Sequence, residues 1–188
     1  MVIGRRIHRY AVGGQWNRRW YVHARIVVAR LATMTGQTVG RCADVLAILS
    51  PRIAVQRNLV LAYRYLRDQT LGVDVPRSTR AAMGYYERTG RIRGPKTGAF
   101  ARALRGADDV VVVDTHLAKA FGYEAKVARS LYVRKHVARV LGRIARGHNW
   151  TMVECQACVW AGYYRATYPS GRVPKYRVKE LGNAGVPF

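Results

Sequence analysis

The stretch "GPKTGAFARALRGADDVVVVDTHLAKAFG", residues 94–122, decides how the rest of this chain is read. Pro95 suits the first turn of a helix, where the missing amide N–H has no partner to lose, so a helix is predicted from Lys96 to about Arg105. The "GADD" turn, residues 106–109, ends it. Val110 to Val113 are β-formers, but no other segment alternates like a sheet, and the valines are therefore read as an extended connection buried between helices. Asp114 then opens another helix. A carboxylate set behind four valines, in a chain with 33 Lys and Arg against 10 Asp and Glu, asks for a physical reason.

Working outward, the chain has 188 residues and a formal charge of +23, with 49% hydrophobic and 23% charged residues. That balance is globular, one domain with tails, and its surface calls for a polyanionic partner. Nucleic acid is the first candidate partner, because cations spread over a whole fold displace counterions from phosphates, whereas a membrane-surface protein concentrates them on one helix or tail. No apolar run is long enough to span a membrane, and "MVIGRRIHRYAVGG" lacks the apolar centre of a signal peptide, so an intracellular protein is expected, in the host cytoplasm if viral. Cys42, Cys155 and Cys158 are too few for a closed zinc site and are read as buried thiols, with no metal, no cofactor and no disulfide.

The predicted fold class is all-α. Residues 17–35, 38–50, 53–68, 78–90, 126–146 and 151–167 all carry helical patterning. In the third, Val55, Leu59, Ala62, Tyr63 and Leu66 face inward, with Arg57 and Arg64 opposite; Ser78 is a candidate cap for the fourth. Over 126–146, Lys135, Arg139, Arg143 and Arg146 lie opposite an apolar stripe, a face that is either solvated or turned to phosphate. In the last helix the aromatics Trp160, Tyr163 and Tyr164 are read as core before base-stacking groups. Residues 17–168 form the helical domain, 169–188 a basic tail rich in Pro and Gly, and the basic segment 1–16 is read as similar to that tail.

A helix, a short basic loop holding Gly94 and a second helix opened by Pro95 form a hairpin of helices. The positive end of the second helix, with Arg91 and Arg93 beside it, suits a phosphate. A ten-residue helix spans about 15 Å, and the valine connection is long enough to return, so Lys96 and Asp114 are expected to flank one pocket. Cleaving an N-glycosidic bond builds positive charge on the sugar, which a fixed carboxylate stabilises while activating the nucleophile. Water as nucleophile releases the base; a lysine amine forms an imine through which the strand can then be cut. Such an amine must be neutral, a form that cationic, partly dry surroundings favour.

These residues resemble the helix-hairpin-helix DNA glycosylases related to endonuclease III. "GPKTGAF" followed by "VVVVDTHLAKAFG" is similar to that family's Gly-rich hairpin, Lys-Thr pair and V-D-T-H, and the similarity covers roughly residues 40–165. It implies that Lys96 is the imine-forming lysine of the bifunctional members, that Asp114 is the catalytic aspartate, and that Gly94 and Thr97 belong to the DNA-binding hairpin. "LAILSPRIAVQRNLVLA" resembles the "LSAQ" helix start, with Arg52 where a duplex-probing glutamine stands. Ile92 replaces the hairpin's first glycine, and the four-cysteine iron-sulfur loop is missing, so no cluster is expected. "SPRIAVQRN" and "QACVWAGYYR" resemble reduced phage and bacterial forms of this fold, some of which decorate bases in viral DNA.

The expected activity is that of a DNA N-glycosylase, with or without AP-lyase chemistry at Lys96, acting on a flipped-out damaged or modified base in duplex DNA, the expected partner. Lys135, Arg139, Arg91, Arg93 and Arg52 are the candidate phosphate or duplex contacts. Two other readings stay open: a transferase that modifies bases in viral DNA on the same fold, and a non-catalytic DNA-binding protein. Several residues also carry plainer roles: Asp114 as a helix cap, Lys96 as a phosphate contact, His116 as a packing histidine or a base, and Glu154 as an arginine's partner or a second acid.

Overall fold

The computed structural model describes residues 2–51, 53–72 and 75–170. Among them the protein is all-α, with nine α-helices, two 3-10 turns and no strand. None of these helices is long and apolar enough to cross a membrane. The described residues divide into two compact units, one running over 22–106 and the other joining 2–21 to 107–170. Arg52 and nearly all of the predicted C-terminal tail lie outside the described residues.

The continuous unit holds most of α2 (Trp20–Thr35), then α3 (Val39–Leu49), α4 (Val55–Asp68), α5 (Arg77–Thr89) and α6 (Pro95–Leu104). Helix α3 is its centre, packed against α4, α5 and α6 and buried without interruption from Cys42 to Leu49. A helix apolar on all sides has no solvent face to offer, which places it inside. Thr38 starts it by accepting the Arg41 N–H at 3.1 Å, and Pro51 follows its end. Asp44, buried within α3, accepts the Tyr86 hydroxyl at 2.9 Å and an Arg105 guanidinium N–H, tying α3 to α5 and to the end of α6. Asn58 on α4 donates to the Leu46 carbonyl at 3.2 Å. Apolar burial of α4 follows the predicted side, with Leu59, Ala62, Tyr63 and Leu66 inside. Ser78 does not cap α5: the helix begins one residue earlier, because the Thr79 and Arg80 N–H groups both reach the Pro76 carbonyl.

The discontinuous unit contains α1 (Val2–Gly13), a 3-10 turn (Gln15–Asn17), α7 (Thr115–Ala120), a second 3-10 turn (Ala125–Arg129), α8 (Leu131–His148) and α9 (Met152–Thr167). Here α9 is central and packs against α1, α7 and α8. The N-terminal segment is not tail-like: α1 is a helix with Ile7 and Ala11 fully buried. Its charge conceals a helical repeat, since Ile7, Tyr10 and Ala11 share one face. Two glycines let backbones meet on that face. A β-carbon at Gly162 would sit 2.1 Å from the Tyr10 carbonyl oxygen, and one at Gly14 would sit 1.9 Å from that of Cys158.

Val110 to Val113 have no regular secondary structure, and Val110, Val112 and Val113 are buried, as the sequence suggests. Their polar atoms are provided for: the Val112 N–H donates to Gln156 Oε1 at 2.6 Å, and Gln156 Nε2 donates to the Tyr21 hydroxyl at 2.9 Å. Helix α9 begins on a capping box between Thr151 and Glu154. The helix predicted from 126 starts instead at Leu131, after the 3-10 turn and Ser130, and buries Val133, Val137, Leu141 and Ala145.

Candidate functional site

In the continuous unit, α5 and α6 are joined by residues 90–94. Gly90 takes the left-handed position that closes α5, with φ 66°, and Gly94 precedes α6 at φ 87°. The left-handed positions of the loop are thus the two glycines, and Ile92 is not one of them. No side chain caps the α6 N-terminus. Arg91 and Arg93 are exposed beside it, and the Arg93 guanidinium lies 3.7 Å from the Tyr85 ring centre. Thr97 is half-buried in the first turn.

Lys96, also half-buried, donates from Nζ to Ser50 Oγ at 2.7 Å and lies 5.0 Å from the Phe100 ring centre. Ser50 in turn donates to the Ala47 carbonyl at 2.9 Å, which fixes its hydroxyl at the end of α3. The fold therefore joins the end of α3 to the first turn of α6 through a hydrogen bond from the lysine amine to the serine hydroxyl. Ser50 was readable only as a helix stop; its partner lies 46 positions away along the chain.

In the discontinuous unit, Asp114 stands at the head of α7 with both carboxylate oxygens engaged. Oδ1 accepts the Leu117 N–H at 2.7 Å, a helix cap, while Oδ2 accepts the Trp160 indole N–H at 3.1 Å. Cap and oriented carboxylate coexist, because a carboxylate has enough lone pairs for both and stays half-exposed. Trp160 is not a core residue. It is half-buried and begins a row on α9, stacked on Tyr164 with ring centres 5.3 Å apart and planes 23° apart, and Tyr164 is followed by Tyr168 at 4.9 Å. His116 lies against all three rings, at 6.2, 6.0 and 6.4 Å. Its Nδ1 is buried without a hydrogen-bond partner among the described residues.

Lys96 and Asp114 thus belong to different units, and each is positioned by neighbours within its own. Lys135, Arg139, Arg143 and Arg146 are exposed along α8, a helix without a single acidic residue. Glu154 is occupied structurally: Oε2 accepts the Thr151 N–H at 2.9 Å, and Oε1 pairs with Arg18 at 3.3 Å. Cys42, Cys155 and Cys158 are buried thiols; burial pushes both Cys155 and Cys158 up to about 12 and raises Cys42. Among the described residues no cluster of three or more His, Cys, Asp or Glu could hold a metal ion. One cavity, of about 250 Å³, opens on the basic side of α4 between Arg57, Arg64 and Asp68, and neither Lys96 nor Asp114 lines it.

No curated protein and no solved structure matches the chain. A family model described as "Family of unknown function (DUF7178)" matches residues 11–166, which takes in α2 to α8 entire, most of α9, and both Lys96 and Asp114. The chain belongs to the DUF7178 family.

Proposed function

We propose that this protein is a DNA N-glycosylase that draws an unpaired or flipped-out base from the helix and attacks its C1′ carbon. The observation that carries the reading is Asp114: a half-exposed carboxylate oriented by two donors, the Leu117 amide and the Trp160 indole. A fixed anion of this kind stabilises positive charge developing on a sugar, and because it is already oriented it needs no reorganisation as the reaction proceeds. In the simplest course, water attacks C1′, Asp114 takes its proton, and the C1′–N bond breaks with its electron pair leaving on the base.

Lys96 extends the chemistry. If its neutral amine attacks C1′ in place of water, loss of the base and ring opening leave an imine, and removal of a C2′ proton then expels the 3′ phosphate. Support comes from its place in the first turn of α6, with the serine hydroxyl as its partner and the exposed Arg91 and Arg93 alongside. The charge of +23 and the acid-free α8 suit a phosphate backbone. The resemblance to endonuclease III-like glycosylases, carried by "GPKTG" and "VDTH", points the same way.

The test is a panel of duplexes carrying damaged, mismatched or hypermodified bases, read by mass spectrometry and by borohydride trapping. A freed base and a trapped covalent adduct that disappears with Lys96→Ala support glycosylase and lyase chemistry. A freed base without an adduct keeps the glycosylase and removes the lyase. A base that gains mass when a cosubstrate is added, or no change on any duplex, overturns the reading.

A further inference from the structure

The row on α9 does more than orient Asp114. Trp160 and Tyr164 are one helical interval apart on α9 and Tyr168 is the residue that ends it, so the three rings follow one another outward from the carboxylate. Trp160 is tied to Asp114 by its indole N–H. Tyr164 and Tyr168 have no such tie to the carboxylate, and they become more exposed along the row: Tyr164 is half-buried and Tyr168 is 42% exposed.

A core would have covered these rings. Instead Trp160, Tyr164 and His116 are only half-buried and Tyr168 is exposed, so the cluster is covered in part and keeps some ring surface in water. His116 Nδ1, buried without a partner among the described residues, is a second departure from ordinary packing, since buried polar atoms normally find partners. A chain of net charge +23 makes a strand of nucleic acid the natural occupant, because its phosphates meet the cationic surface while its bases present π-faces to the rings.

We infer that Tyr168, backed by Tyr164 and with His116 beside them, stacks an unpaired base next to the nucleotide attacked at Asp114, so that the preferred substrate is DNA unpaired beside the target nucleotide rather than a fully paired duplex. Successive rings lie 5.3 and 4.9 Å apart, too close for a base to enter between them, so a base meets the row at its outer, exposed ring, Tyr168, with Tyr164 packed behind it. A fully paired duplex keeps its bases stacked on one another and offers this row none. This inference rests on the glycosylase reading for the identity of the polymer, but its readout is binding alone.

The experiment compares two labelled 25-mer DNAs of equal charge, one fully paired and one with a three-nucleotide bubble, by fluorescence anisotropy with the full chain. The bubble should bind about tenfold tighter, the scale of stacking one base on an aromatic ring. Tyr164→Ala and Tyr168→Ala should each erase most of that preference while leaving the paired-duplex affinity and its salt dependence unchanged, and Tyr164→Phe should keep it. Tyr168 is exposed enough to be replaced without loss of the fold, which a thermal melt verifies. Equal binding of the two DNAs by the wild type overturns the inference, as does an equal loss on both DNAs in the alanine variants. Loss of excision on Asp114→Asn without any bubble preference would leave the glycosylase standing and the stacking row refuted; bubble preference without excision would do the reverse.

Discussion

The α5–α6 hairpin and the α1–α9 contact each depend on a glycine, for opposite reasons. Gly94 has φ 87°, and a β-carbon there would meet nothing within 4 Å, so the glycine answers only to its own backbone. At Gly162 the backbone is ordinary helix, and the constraint is the Tyr10 carbonyl 2.1 Å from where a β-carbon would be. Both kinds of constraint meet at the two candidate catalytic groups. Each joins a local constraint to a distant one: Lys96 follows the Gly94 turn and bonds to Ser50, 46 residues earlier, and Asp114 caps its own helix and meets Trp160, 46 residues further on. A local constraint is set by conformational preference; a distant one is set by packing.

The sharpest way to break this comparison is at Asp114. Asparagine caps helices as well as aspartate does, so Asp114→Asn should keep the melting temperature within a degree or two while single-turnover excision falls by about 100-fold or more. Parallel losses of stability and rate would mean that the carboxylate is only a cap. The next effect belongs to Gly162→Ala, where the added methyl has backbone rather than a flexible side chain in its way. A loss of about 1–3 kcal/mol or more in urea unfolding is expected.

Gly94→Ala should cost less, about 1–2 kcal/mol, because only left-handed strain is added and no atom is displaced. If it cost more than Gly162→Ala, the distinction between local and packed glycines would fail. Thr151→Ala removes one half of the α9 capping box and should lower stability by about 1 kcal/mol, measured the same way.

The smallest effect concerns the two buried thiols of α9. Cys155 and Cys158 are raised from 9.0 to about 12 by burial, so the folded state favours their protonated forms. That contribution is complete below about pH 9 and disappears as pH climbs toward 12. At pH 8, iodoacetamide should label neither thiol in the native protein and both in urea. Rapid native labelling would show that the centre of this unit opens easily.

Where sequence reading failed, the missing information was long-range. Segment 1–16 reads as a basic tail because Arg5, Arg6 and Arg9 dominate it, and the Ile7–Ala11 stripe acquires meaning only when Gly162 presents a surface to receive it. Trp160 and Tyr164 read as core because their spacing is that of an apolar helix face; whether such a face is covered depends on what packs over it. Ser50 is a plausible helix stop on its own, and the lysine that bonds to it arrives from another helix. By contrast, the proline start of α6, the buried valine connection and the Asp114 cap were all legible, since each follows from the preferences of residues within one turn.

By itself, then, the sequence determined the all-α class, most helix limits, the excess of positive charge and the two side chains on which a chemical reading turns. These are properties of residue type and of separations shorter than a helical turn, where sterics and hydrogen bonding act without outside help. Only the tertiary structure decided that α1 is a packed helix, that Asp114 is oriented by Trp160, and that the aromatic row is covered only in part. Such facts depend on which surfaces meet, and close packing makes that a property of the whole chain rather than of any segment within it.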